Sequence, residues 1–217
     1  MKPRSSSHPR WLASLLSIVR VAIVLVALTS TALAATPAEI YTRSYALEAK
    51  GEYEAALRAL QDLPKTKQTY VFRLRSGWLL YLAGREFDAM EEYRRAVTLA
   101  PDAVEPLLGL MLPQMALKLW LDTRATGKLV LALDPHNYTA HARMAWASYS
   151  LGRYDEAAEH YRHNLDLYPS DLEMRAGVGY CLLQNGDKAR AAAEFREVLE
   201  VAPEHASAQA GLLAAER

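Results

Sequence analysis

The chain has 217 residues with 25 basic and 25 acidic side chains, so its formal net charge at pH 7 is zero. A hydrophobic content of 51% is enough to build a core, and the single cysteine, Cys181, excludes an internal disulfide. Four of the basic residues precede the first acid, Glu39, so the rest of the chain has 21 basic against 25 acidic residues and a net charge of −4. A mildly acidic body argues against nucleic-acid binding, since affinity for nucleic acid comes mostly from neutralising phosphates.

The segment from Met1 to Ala34 has the layout of a secretory signal peptide. A basic, acid-free segment is followed by the apolar run VAIVLVALTSTALAA, which ends in the small-residue pattern Ala32-Leu33-Ala34. We therefore expect cleavage after Ala34 and export to the periplasm or out of the cell.

Two other fates of this segment stay open, namely an uncleaved anchor made by residues 11–35 and a cytosolic chain. The apolar run from Val21 is shorter than the ~20 residues that span a bilayer. Starting at Trp11 gives the length, but it places Arg20 near the membrane centre at a cost of about 2.5–3.5 kcal/mol.

Punctuation residues recur along the body at a fixed interval. Four prolines are spaced 34 residues apart: Pro101, Pro135, Pro169 and Pro203. Three glycines each precede one of these prolines by 17 residues: Gly84, Gly152 and Gly186. A fourth glycine, Gly51, lies 33 residues before Gly84. A glycine can take positive φ and end a helix, and the residue before a proline resists the α conformation. Each interval therefore predicts two helices joined by a short turn.

A second pattern lies within these intervals: an alanine followed four positions later by an aromatic residue, at Ala89 and Tyr93, Ala157 and Tyr161, and Ala191 and Phe195, with Ala56 keeping the alanine alone. With the 34-residue period, this pattern resembles the tetratricopeptide repeat family over residues 36–217. The resemblance implies an all-α fold, a right-handed superhelical α-solenoid of helix–turn–helix units. The front of each unit departs from it, because the family's tryptophan is replaced by Ile40, Arg73, Leu107, His141 and Arg175.

The period divides the body into five units followed by a short helix. The predicted units are residues 36–69, 70–103, 104–137, 138–171 and 172–205. Residues 206–217 should form a capping helix over the apolar side of the last unit, since terminal repeats need such a cover.

The third unit breaks the pattern. Pro113 falls inside its first helix, where proline should kink the helix or break a turn at a cost of about 3 kcal/mol. Lys118 takes the turn-glycine place, while Thr123 and Gly127 replace the alanine and the ring. Two interpretations stay open: a drifted repeat held by its neighbours, or a bend with a dent at Gly127 that receives a partner's side chain.

We find no sequence basis for an enzyme, a cofactor or a metal. The chain offers no nucleophile and base at triad-like spacing, no phosphate-binding loop and no cysteine pair. His160 and His163 are three positions apart on one helix, but a zinc site normally needs three or four ligands, so we expect solvated side chains. Cys181 is flanked by apolar residues and should be a buried, inert thiol.

The resemblance implies that the first helix of each unit lines the concave side, with the ninth and twelfth places of each unit pointing into it. Counting the first unit from Pro37, the ninth places are Tyr45, Trp78, Leu112, Trp146 and Tyr180, and the twelfth are Glu48, Tyr81, Met115, Tyr149 and Leu183. The sixth place adds Arg75 and Arg143. The predicted partner-binding residues are Tyr45, Trp78, Tyr81, Trp146, Tyr149, Tyr180, Arg75 and Arg143, although an aromatic stripe at helical spacing is also typical of a core.

Two functions are consistent with such a groove. The first is a non-enzymatic scaffold that holds a protein or peptide segment of an exported or envelope partner, since Trp, Tyr and Arg dominate binding hot spots. The alternative is an accessory protein of polysaccharide export or binding, whose rings stack on sugars; this rests on analogy of fold. Both predict no nucleic acid and no membrane contact beyond the N-terminal segment.

Overall fold

The computed structural model describes residues 35–217, so the predictions for the N-terminal segment lie outside the described residues. Residues 37–217 form one compact unit. Its α-helices are α1 (Pro37–Glu48), α2 (Tyr53–Gln61), α3 (Tyr70–Leu82), α4 (Glu86–Leu99), α5 (Val104–Ala116), α6 (Trp120–Leu133), α7 (Tyr138–Ser150), α8 (Tyr154–Leu167), α9 (Leu172–Gln184), α10 (Lys188–Val201) and α11 (Ala206–Ala215). A 3-10 turn, Lys65–Lys67, joins α2 to α3, and the described residues contain no strand. None of these helices has the length and apolar character that crossing a membrane requires.

The turns inside the units are formed as the glycines predict. Gly51, Gly84, Gly152 and Gly186 have φ between 71° and 83°. In the fourth unit the Gly152 N–H donates to the Tyr149 carbonyl and the Arg153 N–H to the Ser148 carbonyl, both at 2.9 Å. This pair of bonds satisfies carbonyls that the helix end leaves without donors.

Lys118 makes the same turn without a glycine. Its φ is 56°, its N–H donates to the Met115 carbonyl at 2.9 Å, and the next N–H, of Leu119, donates to the Gln114 carbonyl at 2.8 Å. The third unit therefore keeps the turn geometry and carries the strain of a left-handed backbone at a residue with a Cβ atom.

In the three units that keep the alanine and aromatic pattern, the aromatic residue of that pattern packs between helices. Tyr93 and Phe195 are buried against glycines of their own first helix, Gly77 and Gly179. The same two rings also lie on a glycine of the following helix, Gly109 for Tyr93 and Gly211 for Phe195, and Tyr161 lies on Gly177 in the same way. A Cβ atom at Gly109 would lie 2.6 Å from Tyr93 Cδ1, so this contact requires glycine.

These contacts explain a regularity at the sixth place of the units. The sixth place is glycine wherever the second helix of the preceding unit carries the ring, at Gly109, Gly177 and, in α11, Gly211. It is arginine, Arg75 or Arg143, where the preceding unit has Leu60 or Gly127 in the ring's place. A long side chain thus occupies the sixth place where the second helix of the preceding unit supplies no ring.

The third unit agrees with a drifted repeat held by its neighbours and not with a bend that carries a dent. Helix α5 runs without a break through Pro113, so the predicted broken turn is absent. Pro113 cannot donate to the Gly109 carbonyl, and Arg143 Nη1 donates at 2.5 Å to the adjacent Leu108 carbonyl. Arg143 thus adds a donor to the part of α5 that the proline deprives of one.

Gly127 does not form a dent open to a partner. It is buried, and a Cβ atom there would lie 2.6 Å from Met144 Sδ and 3.3 Å from Met111 Cε. The space left by the missing ring is filled by methionines of the same chain, so the dent hypothesis is wrong.

The last helix, α11, covers the end of the array. Ala208 and Ala215 are buried in the same cluster as Phe195 and Val198. The Tyr180 hydroxyl donates to the Ser207 carbonyl at 2.7 Å, which ties α9 to the start of α11.

Candidate functional site

Two cavities open on the face formed by the first helices of the units, α1, α3, α5, α7 and α9. The carboxy-terminal cavity, about 450 Å³, is lined by Trp146, Tyr149, Tyr161, Glu173, Gly177 and Tyr180, among others. The amino-terminal cavity, about 460 Å³, is lined by Tyr45, Glu48, Tyr70, Arg75, Trp78 and Glu105, among others. Both volumes are in the range of small-ligand and side-chain pockets.

The carboxy-terminal cavity has rigid aromatic walls. The Trp146 and Tyr149 rings are nearly parallel, at 21°, with centroids 6.3 Å apart, and Tyr149 meets Tyr154 edge-on at 5.2 Å. Tyr180 packs edge-on against Phe195 at 5.0 Å and is fixed by its bond to Ser207. Trp146 is 51% exposed, so its ring is the part of the cavity wall that is most accessible to solvent.

The amino-terminal cavity is built around an ion pair. Arg75 is only 6% exposed, forms a salt bridge with Glu48, and donates to Ser44 Oγ at 3.2 Å. Its guanidinium lies 3.6 Å from the centroid of the Tyr45 ring. Trp78 Nε1 donates to the other oxygen of Glu48 at 2.6 Å. Burial opposes ionisation of Glu48, but hydrogen bonds from Trp78 and Arg75 outweigh it and lower the pKa of this carboxyl.

This geometry corrects the prediction for Arg75. Its guanidinium is already occupied by Glu48, Ser44 and the Tyr45 ring, so it is not free to receive a carboxylate of a partner. Separating the two would leave the buried guanidinium of Arg75 without its counter-charge, which is costly.

Two of the predicted site residues lie outside both cavities. Arg143 is half-buried, and burial lowers the pKa of its guanidinium despite the neighbouring hydroxyls of Tyr81 and Tyr93. Tyr81 is half-buried with its ring centroid 5.9 Å from that of Trp78. The predicted residues therefore divide into Trp146, Tyr149 and Tyr180 around one cavity, Tyr45, Arg75 and Trp78 around the other, and Tyr81 and Arg143 between the packed helices.

Carboxylates mark the rims of the cavities. The side chain of Glu173 is 75% exposed at the carboxy-terminal cavity, and its carboxylate lies 3.1 Å from His205 Nε2. Glu105 accepts a hydrogen bond of 3.1 Å from the Tyr70 hydroxyl, and burial together with this bond raises the pKa of Tyr70 to about 12. Neither Glu105 nor Glu173 is among the site residues predicted from the sequence.

The prediction of solvated histidines is wrong. His160 and His163 join His136 and His141 in one cluster, in which His141 is buried and the His141 and His163 rings are stacked 3.8 Å apart. The contact between His141 and His160 could have been predicted from the repeat, because they occupy the fourth and twenty-third places of their unit and these two places face each other. In residues 35–217 no group of three or more His, Cys, Asp or Glu side chains is arranged to hold a metal ion.

Cys181 is buried, as expected. Burial raises the pKa of its thiol to about 12, so the thiolate needed of a nucleophile does not form near neutral pH.

Paired helices at a 34-residue spacing, left-handed turns and ring-to-glycine contacts between neighbouring units define an α-helical repeat protein. The chain belongs to the tetratricopeptide repeat family. The family profile, described as Tetratricopeptide repeat, matches residues 41–104, 129–171, 142–206 and 179–216, which together make up more than half of the chain. Proteins of this family bind protein partners, and the fold therefore indicates protein–protein interaction.

Solved structures show the same fold at low sequence identity. MamA from Desulfovibrio magneticus RS-1 is 18% identical with a TM-score of 0.70, over 76% of this chain and 94% of that one. A tetratricopeptide repeat protein from Parabacteroides merdae is 16% identical with a TM-score of 0.74, over 82% and 71%. A thermophilic tetratricopeptide repeat protein from Thermus thermophilus is 20% identical with a TM-score of 0.59, over 81% and 96%. A comparison with curated proteins found no match.

Proposed function

We propose that this protein is a non-enzymatic scaffold of the cell envelope that binds a segment of a partner protein in the carboxy-terminal cavity. The observation that carries the proposal is Trp146, a half-exposed tryptophan at the mouth of a 450 Å³ cavity whose other rings are fixed. A rigid pocket that already holds its aromatic walls in place loses little conformational entropy on binding. Tryptophan and tyrosine are the residues that most often dominate binding energy.

Trp146 and Trp78 have different roles in this proposal, although they occupy the same place two units apart. The indole N–H of Trp78 is used by Glu48, the partner of a buried arginine, so Trp78 supports the local structure. Within residues 35–217, no hydrogen bond or ion pair of this kind restrains Trp146, and its ring packs beside Tyr149. Trp146 is therefore the anchor, and Trp78 positions the amino-terminal cavity.

The envelope location rests on the N-terminal sequence. The basic segment, the apolar run and Ala32-Leu33-Ala34 support cleavage after Ala34 and export. The intact mass of the protein recovered from cell fractions tests this, with a mature chain that begins at Ala35 or Thr36. A full-length product embedded in the membrane would instead support the anchor made by residues 11–35.

The binding experiment compares Trp146→Ala with Phe87→Ala. Phe87 is 73% exposed on α4, a second helix, and so controls for the loss of an exposed ring outside the cavity. A partner is captured from envelope extract by the full chain, and its affinity is then measured for each variant. Loss of a hot-spot anchor should weaken binding by about 2–4 kcal/mol, or roughly 30- to 1,000-fold, while Phe87→Ala binds like the parent.

Stability measurements make the result interpretable. Because Trp146 is half-exposed, Trp146→Ala should destabilise the fold far less than the roughly 3–5 kcal/mol that truncation of a fully buried tryptophan costs. Unchanged affinity of Trp146→Ala, or an equal loss for Phe87→Ala, would show that the cavity is not the binding site.

Sugar binding is the second candidate, and one observation favours it. The nearly parallel Trp146 and Tyr149 rings form an apolar platform of the kind on which a sugar face stacks, with Glu173 at the rim as a hydrogen-bond acceptor. A glycan array separates the two functions, because a protein-segment site gives no glycan signal that depends on Trp146.

A further inference from the structure

Four of the six histidines of the chain meet in the fourth unit, away from both cavities. His136 lies in the turn before α7, His141 on α7, and His160 and His163 on α8. Nδ1 of His141 lies 2.9 Å from Nδ1 of His160, and Nδ1 of His136 lies 3.2 Å from Nε2 of His163. Each of these contacts joins two ring nitrogens, so each needs one hydrogen between two nitrogens.

The hydrogen positions follow from a carbonyl group. Nε2 of His141 lies 3.0 Å from the Pro135 carbonyl, which can only accept, so Nε2 of His141 carries a hydrogen. In the neutral ring Nδ1 is then an acceptor, and the contact with His160 is a bond donated by His160 Nδ1–H. Protonation of His160 at its other nitrogen leaves this bond in place. Protonation of His141 alone is accommodated by the other tautomer of His160, whose Nδ1 then accepts. Protonation of both rings destroys the bond, because two N–H groups would then face each other.

The neighbouring units place a different pair at the same two positions. At the fourth and twenty-third places, the second unit has Arg73 and Glu92, with Nη1 to Oε2 at 2.9 Å. The fifth unit has Arg175 and Glu194 at 3.2 Å. Both pairs join the first helix of the unit to the second through an ion pair of opposite charges. In the fourth unit the same junction is made by His141 and His160, which become like charges on acidification.

Few charges near the cluster can stabilise protonated rings. Asp134 faces His141, and the other charged neighbours of that ring are His136 and His163. Glu156 faces His160, but it is paired with Arg124, whose own charge also acts on His160. Burial is the largest cause of a lowered pKa at both rings, and with the neighbouring cations it brings the pKa of His160 to about 4.

We propose that the cluster of His136, His141, His160 and His163 is a proton-sensitive latch, which holds α7 against α8 at neutral pH and releases that hairpin on acidification. An unfolded histidine has a pKa near 6.5, and in the folded chain the pKa values of the buried His141 and the half-buried His160 are lower. The unfolded state therefore binds more protons below pH 6.5, so stability is complete above that pH and is lost as the pH falls towards 4. Because α7 also carries Trp146, release loosens one wall of the carboxy-terminal cavity.

The test exchanges the pairs between units in the full chain. His141→Arg with His160→Glu installs in the fourth unit the pair of the second and fifth units. Arg175→His with Glu194→His does the reverse in the fifth unit. Melting temperatures at pH 7.5 and pH 5.0 give the acid sensitivity of each protein, and the carboxylates outside the exchanged pairs are common to all three. Chelator is present throughout, so that trace metal contributes nothing.

The parent should lose about 5 °C more than the His141→Arg, His160→Glu variant between pH 7.5 and 5.0. The Arg175→His, Glu194→His variant should be more acid-sensitive than the parent. Equal acid sensitivity of all three proteins would overturn the proposal.

A titration of the parent keeps the proposal testable if a variant does not fold. Imidazole resonances followed by NMR should show His141 and His160 still neutral at pH 6, with chemical shifts of backbone amides in α7 and α8 changing at lower pH. Titration of both rings near pH 6.5 without change in those amides would overturn the latch.

Discussion

Replacing Gly109 with alanine sets two effects of known sign against each other. Gly109 lies inside α5, where alanine is favoured over glycine by about 0.5–1 kcal/mol. The new Cβ atom would however lie 2.6 Å from Cδ1 and 2.7 Å from Cζ of Tyr93, well inside the 3.4 Å at which ordinary van der Waals contact begins. Tyr93 is only 3% exposed, so the ring cannot move out into solvent.

Overpacking of a tight core costs about 1–3 kcal/mol, and so severe an overlap belongs at the upper end. Taking a cost of about 2–3 kcal/mol and subtracting a gain in helix propensity of about 1 kcal/mol leaves a loss of about 1–2 kcal/mol in the free energy of unfolding. For a chain of this size, that lowers the melting temperature by about 2–8 °C. Urea unfolding followed by circular dichroism measures the same difference from the transition midpoint.

A double-mutant cycle with Tyr93→Leu assigns the cost to the ring. Leucine stands at the ring's place in the first unit, as Leu60, so the substitution is compatible with the fold. In the Tyr93→Leu background, Gly109→Ala should become neutral or stabilising, giving a coupling energy of about 1–3 kcal/mol. If Gly109→Ala stabilises the parent protein, the ring-to-glycine contact does not join the units and the explanation of the sixth place is wrong.

Three further substitutions test individual parts of the structure. Lys118→Gly should raise the free energy of unfolding by about 1 kcal/mol, measured by urea denaturation, because a left-handed backbone costs lysine more than glycine. Gly127→Tyr, which the repeat pattern alone would favour, should instead lower the melting temperature by several degrees, since Met144 fills that space. Glu48→Gln should cost about 2–4 kcal/mol in urea unfolding, because it leaves Arg75 buried without its counter-charge; a loss below about 0.5 kcal/mol would show that the pair is effectively solvated.

The repeat register was predictable because it depends on backbone rules. Gly152 and Pro169 report local conformations that glycine permits and proline enforces, and neither depends on distant residues. The turn at Lys118 was predictable in the same way, because the residue stands at the turn position of the repeat, although a lysine by itself does not indicate a turn. The family resemblance added the face on which Trp146 lies, but it could not give the exposure of the ring.

Side-chain partners were not predictable, since they depend on contacts across units. Arg75 and Trp78 stand on the expected face, yet both are bound to Glu48, which lies in the preceding unit of the chain. Pro113 indicated a broken helix from its own chemistry, whereas α5 continues through it and Arg143 of the next unit donates to the Leu108 carbonyl beside the carbonyl that Pro113 leaves without its donor. The residue types thus show which groups need partners, but the packing of neighbouring units determines which residues become those partners.

Within residues 35–217 the buried side chains form four clusters instead of one, and this affects how the array opens. The largest cluster joins α7–α11 and includes Phe195, Val198 and Cys181, while three smaller ones lie under α1–α7. In a linear array each unit touches only its neighbours, so local opening at one end need not spread to the other. The amides of α1 and α2 should therefore exchange with deuterium well before those of α9 and α10. A chain that has lost its first unit to such fraying would still present the walls of the carboxy-terminal cavity intact.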